Sequence, residues 1–155
     1  MFLKNFTVHN KTALVTGSGK GIGKACAIAL AEAGANIIIL SRTEKDLLIV
    51  QDKIKKLKKK CSYYVCDVTN LKEIKKIFFE INKLDILVNN AGTSSAHPIM
   101  NITDEIMNED LGTKLFGAIY MIQAVVPSMK TNKKGSIVNI TTPGGKASGA
   151  NTVPT

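Results

Sequence analysis

The sequence predicts an α/β fold built on a doubly wound parallel sheet, and three observations predict it. Short runs rich in valine, isoleucine and leucine alternate with longer stretches of helical character, the signature of parallel βαβ units. A cluster of glycines follows the first apolar run, where a strand must turn tightly into a helix. The alternation runs as far as a Gly/Ser/Pro-rich tail after residue 140, with no repeat, linker or second domain, which argues for a single domain over 1–155. A domain near this size removes roughly 70% of its unfolded surface from water.

The elements follow in order. Thr12–Thr16 (TALVT) reads as the first strand. The glycine turn leads into a helix over 21–33, whose Ala25, Cys26, Ala29 and Ala33 suggest a small-residue face, and Gly34 stands where a helix-ending glycine belongs. The second strand is 36–40, NIIIL. Thr43 with Asp46 predicts a capping box opening the next helix, in which Leu47, Leu48, Ile54 and Leu57 mark the apolar positions. A third strand lies near 63–65, and Asn70 with Glu73 opens another helix. The fourth strand is 85–88, a long helical region covers 104–129, and the fifth strand is 136–140. Right-handed crossovers then give strand order 3-2-1-4-5, with ligands expected beyond the C-terminal strand ends near the reversal of order.

Composition excludes several classes of function. No segment reaches the ~20 apolar residues of a membrane helix, and the N-terminus lacks the apolar core of a signal peptide, so a cytoplasmic protein without membrane partners is expected. Cys26, Cys61 and Cys66 fit no zinc or redox spacing, and His9 and His97 are far apart in sequence, so no metal site is expected. The net charge is +9, which raises nucleic-acid binding. Much of the excess sits at Lys53, Lys55, Lys56, Lys58, Lys59 and Lys60, without interleaved aromatics to stack on bases. A solvated helix end explains it, since cations suit a helix C-terminus.

The chemistry-bearing turn is Thr16-Gly17-Ser18-Gly19-Lys20-Gly21-Ile22-Gly23, between first strand and first helix. Glycines let the backbone approach a pyrophosphate, and the helix start offers free N–H groups and the positive end of the dipole. No GKS or GKT follows, which disfavours a P-loop ATPase. The pattern TGxxxGIG is joined in order by Asp67-Val68 after the third strand, Asn89-Asn90-Ala91-Gly92 after the fourth, and SIVNI as the fifth. Together these closely resemble the short-chain dehydrogenase/reductase family, a Rossmann fold, over essentially the whole chain. The resemblance implies that Gly17, Ser18, Gly19, Lys20, Gly21, Ile22 and Gly23 form the pyrophosphate turn. It implies that Asp67 holds the adenine amino group with the Val68 backbone beside it. It assigns Asn89, Ala91 and Gly92 to the cofactor ribose and the central sheet.

The second strand's end points to the choice of cofactor. NAD-specific Rossmann domains carry an acidic residue there that bonds the ribose 2′-hydroxyl. Here Ser41 stands at that place, followed by Arg42, the only arginine among 21 basic residues. An arginine fork grips a 2′-phosphate, and Lys20 offers a second cation from the turn. The expected cofactor is NADP(H) rather than NAD(H).

Catalytically the sequence departs from the family. The resemblance implies a tyrosine acid, a lysine four residues later, a serine and a helix asparagine. Alignment puts Lys114 at the asparagine position, Thr142 at the serine position and Thr155 at the tyrosine position. No tyrosine in the chain has a lysine four residues later. Family members continue through a further helix, two strands and a substrate loop, so a C-terminally truncated chain is expected. The leading expectation is an NADP-dependent oxidoreductase acting on a carbonyl or alcohol, represented by its cofactor-binding part and homo-oligomeric when full-length. The alternative is a non-catalytic NADP-binding protein or an inactive fragment.

Overall fold

The computed structural model describes residues 6–81, 83–93 and 97–141. Five parallel strands form one sheet: β1 (Thr12–Thr16), β2 (Asn36–Ser41), β3 (Cys61–Val65), β4 (Ile86–Asn89) and β5 (Ser136–Asn139). Their order is β3-β2-β1-β4-β5, the doubly wound order expected, with β1 central. Register is continuous across the centre: Leu14 pairs with Ile38 on one side and with Leu87 on the other.

Strands buried on both faces need apolar residues at successive interior positions, and β1 (Ala13, Leu14, Val15) and β2 (Ile37, Ile38, Ile39, Leu40) supply them. Ala13, Val15, Ile37 and Ile39 face one layer, packed against Ala27, Ala31, Leu47, Val50 and Ile54 of the helices α1 (Gly21–Glu32) and α2 (Glu44–Lys56). Leu14, Ile38, Leu40 and Leu87 face the other. There they meet Ile74 and Ile77 of α3 (Leu71–Glu80) and Met121, Val125 and Met129 of α5 (Gly117–Thr131). Each fully buried Leu, Ile or Met contributes about 1.5–3 kcal/mol, so the two layers anchor the strand ends rigidly.

Several local expectations are corrected. The fully buried face of α1 is Gly23, Ala27 and Ala31, spaced four apart; of the expected face, Cys26 is partly buried and packs against this core, whereas Ala25 is exposed. In α2 the buried stripe is Leu47, Val50 and Ile54, while Leu48 and Leu57 are exposed. Thr43 is the N-cap of α2, but its side chain makes no capping bond, so the predicted box with Asp46 does not form. The Thr43 N–H instead reaches Ser41 Oγ at 3.4 Å. At α3 the Asn70 side chain does cap, accepting from Lys72 and Glu73 N–H groups. β3 begins at Cys61, two residues earlier than expected, because Ile37 and Ile38 draw Cys61 and Ser62 into the ladder. The long helical region is interrupted: α4 (Asp104–Leu111) passes through a π-helical turn, Gly112–Phe116, into α5.

Candidate dinucleotide site

The strand ends and the starts of α1 and α2 enclose a cavity of about 430 Å³, within the size range of small-molecule sites. Its floor is the turn after β1. Gly17 adopts φ +62°, and a Cβ there would lie 2.9 Å from the Ala91 Cα, so only glycine fits between the turn and the end of β4. Gly19, Lys20, Gly21 and Ile22 complete this wall. Lys20 is the N-cap of α1, whose first turn carries no acidic residue. Its orphan N–H groups and dipole therefore favour an anion.

The turn is held in place by the groups packed around and beneath it. Ser18 is fully buried, and its Oγ accepts from the Leu40 N–H at 2.9 Å, tying the turn to β2. Gly23 is buried beneath, and a Cβ there would meet the Gly17 carbonyl. Thr16 Oγ accepts from the Asn90 and Ala91 N–H groups, each at 2.9 Å. Asn90 Nδ2 donates back to the Thr16 carbonyl at 2.9 Å and the Gly17 carbonyl at 3.3 Å. Sequence reasoning missed Asn90, although the doubled asparagine is a visible signal that two amide side chains have separate tasks.

The second wall comes from the end of β2 and from β3. Ser41, Arg42 and Thr43 line the cavity with Asp46 from the first turn of α2. Arg42 lies 3.7 Å from Asp67 Oδ2, with both side chains substantially exposed, a weak pair that leaves the guanidinium available. The other Asp67 oxygen accepts from the Thr69 N–H and hydroxyl at 2.9 and 2.8 Å. Cys66 and Val68 flank it. Burial, with Glu73 and Asp67 nearby, pushes the Cys66 thiol up to about 12, so it stays protonated and donates to the Asp67 carbonyl at 3.3 Å.

Beyond β4, Asn90, Ala91 and Gly92 line the cavity together with Thr113 of the π-helical turn. Asn89 does not reach it: the side chain is buried and donates to Asn139 Oδ1 at 2.9 Å, clamping β4 to β5. Lys114 also lies off the cavity wall. Its stem passes 3.7 Å from where a Gly92 Cβ would be, and its Nζ lies 3.4 Å from Asp110 Oδ2. Asp110 accepts a short hydrogen bond from the Thr93 hydroxyl on its other oxygen. Thr142 and Thr155 lie outside the described residues. Among the described residues, no cluster could hold a metal ion and no helix is long and apolar enough to cross a membrane.

A glycine turn at a helix start, opposite an NNAG strand exit, is a site with known counterparts. The family model described as short chain dehydrogenase matches residues 11–154. The chain belongs to the short-chain dehydrogenase family. A relative in that family, D-xylose 1-dehydrogenase of Caulobacter vibrioides, is 32% identical over 133 residues, covering 86% of this chain and 54% of the relative. Carveol dehydrogenase from Mycobacterium avium, solved in complex with NAD, superposes with TM-score 0.87 at 26% identity, over 96% of this chain and 60% of its own. A metagenomic short-chain oxidoreductase solved with NADP gives TM-score 0.87 at 26% identity, over 94% of this chain and 68% of its own. The chain spans about half the length of the curated family members it matches.

Proposed function

We propose that this chain is the cofactor-binding part of a short-chain dehydrogenase/reductase that takes NADP(H) in preference to NAD(H) and serves the interconversion of a carbonyl and an alcohol. The observation that carries the preference is the end of β2. Ser41 stands where an NAD-specific domain places its acid, and Arg42 and Lys20 line the same cavity from two sides. The residues fit a dinucleotide: the turn leaves no room for a Cβ at Gly17, and the acid-free start of α1 suits a pyrophosphate. Gly19, Gly21 and Ile22 would hold the pyrophosphate, Arg42 and Lys20 the 2′-phosphate, Asp67 and Val68 the adenine, and Ala91 and Gly92 the ribose. Ser18, Gly23 and Asn89 hold these walls in place from behind. The nicotinamide supplies a hydride when bound. Titration of the 155-residue chain with NADPH and NADH, followed by fluorescence, tests the reading; equal affinities would overturn it.

Lys114 favours a second reading, a non-catalytic NADP-binding protein. Where the family resemblance places an amide, this chain has a cation ion-paired to Asp110. Nor do Tyr63 and Tyr64 offer an acid suited to neutral pH. The Glu44 hydrogen bond raises the Tyr63 pKa, and burial beside Glu80 raises that of Tyr64. Turnover by a longer form of the protein that carries a tyrosine and lysine in the family's spacing would exclude this reading. Under the first reading a small carbonyl or alcohol is the expected partner, in a cytoplasmic protein that is homo-oligomeric when full-length.

A further inference from the structure

Asp46 is an acidic residue without the capping task its position suggests. It sits in the first turn of α2, where sequence patterning assigns it to a capping box, yet the Thr43 N–H goes to Ser41 Oγ instead. Among the described residues its carboxylate has neither a hydrogen-bond nor an ion-pair partner. It is half-buried and lines the cavity. Its position there is defined by Gly19: a Cβ on that glycine would lie 2.9 Å from Asp46 Cβ, 3.1 Å from Ser41 Oγ and 3.8 Å from Asp46 Oδ2. The missing side chain of Gly19 is thus the space in which Asp46 and Ser41 meet.

That places a negative charge in the same cavity lining as the two cations proposed to select the cofactor. Arg42 leans away toward Asp67, and Lys20 follows Gly19 in the turn. We infer that Asp46 is a cofactor-selecting residue that works against Arg42 and Lys20, so that the chain discriminates only modestly between the two nicotinamide dinucleotides. This rests on the NADP reading above. A 2′-phosphate carries close to two negative charges and is repelled by an adjacent carboxylate. A 2′-hydroxyl is a donor and finds an acceptor in it, the same chemistry that an acid at a strand end performs in NAD-specific domains. Here helix α2 delivers the acid, whereas β2 delivers the base.

The test is the ratio of NADPH to NADH dissociation constants in the 155-residue chain and its variants. Asp46→Asn is expected to bind NADPH about two- to fivefold more tightly, the size of an exposed charge interaction, with no gain for NADH. Asp46→Glu, which keeps the charge, is expected to keep the parent ratio. Loss of a first-turn acid alone would lower the melting temperature but leave the ratio unmoved. If Asp46→Asn does not fold, Asp46→Ser removes the charge with a smaller side chain. A ratio that responds to Arg42→Ala but not to loss of the Asp46 charge overturns this inference alone. A ratio insensitive to Arg42→Ala overturns the NADP reading and this inference with it.

Discussion

Arg42 concentrates the cofactor question in one side chain. It is more than half exposed, and its one ion-pair contact, to Asp67, is 3.7 Å long. Little is lost when it turns toward a 2′-phosphate. A charge-assisted arginine fork is worth about 1.5–3 kcal/mol, so Arg42→Asp is expected to weaken NADPH binding about tenfold to a hundredfold and leave NADH binding nearly unchanged. Paired calorimetric titrations check this, and equal losses for both cofactors would show that Arg42 contacts a shared part of the dinucleotide. The sequence made Arg42 legible because it is the only arginine. It could not reveal Asp46 as a cavity residue, because an acid in a helix's first turn reads as a dipole partner or cap until the chain partner of each N–H is known.

Two junctions between elements carry the scaffold. At the C-terminal end of the sheet, the β1–α1 turn closes onto the β4 exit through Gly17, Thr16 and Asn90. Gly17→Val adds a branched side chain at a left-handed φ and against the Ala91 backbone. It is expected to abolish NADPH binding and to lower the melting temperature by at least about 2–4 °C, the shift for ~1 kcal/mol in a chain of this size. A valine variant that melts and binds like the parent would show that the turn is only a connection. At the opposite end, Asp85 precedes β4 and is 7% exposed. Burial pushes its pKa up, but the Thr12 N–H at 3.0 Å and the Lys11 ammonium at 3.2 Å, with Lys83 beyond, hold it below the ordinary 3.8. A lowered folded pKa means stabilisation present above the unfolded carboxylate value and lost as pH falls through the folded one. Asp85→Asn is therefore expected to cost about 1–2 kcal/mol at pH 7 and progressively less below about pH 4. Urea midpoints of the two chains should converge on acidification; a gap independent of pH would remove the charge from the explanation.

Among the described residues β5 is one of two edge strands, and Val138 and Ile140 at this border are 43% and 39% exposed, a partly apolar edge. The 155 residues hold no tyrosine with a lysine four positions on, and Lys114 is engaged with Asp110. We expect this chain to bind NADPH without transferring hydride to common aldehydes or ketones, since acid–base assistance alone is typically worth about 10²–10⁴-fold. A substrate screen at the NADPH absorbance band is the measurement. Turnover lost in Lys114→Ala would instead assign the proton relay to that lysine. The sequence by itself determined the strand order, the glycine turn and the absence of an acid at the end of β2, because each is written in local patterning and in the handedness of βαβ crossovers. Only the tertiary structure decided which residues face the cavity. It sent Asn89 to Asn139, Ser18 to Leu40 and Lys114 to Asp110, and brought Asn90 and Asp46 to the cavity. The reason is geometric. Side-chain direction at a strand end or in a helical turn depends on which polar group lies within reach, and for Ser18, Asn89 and Asn90 that is settled only when the strands lie side by side.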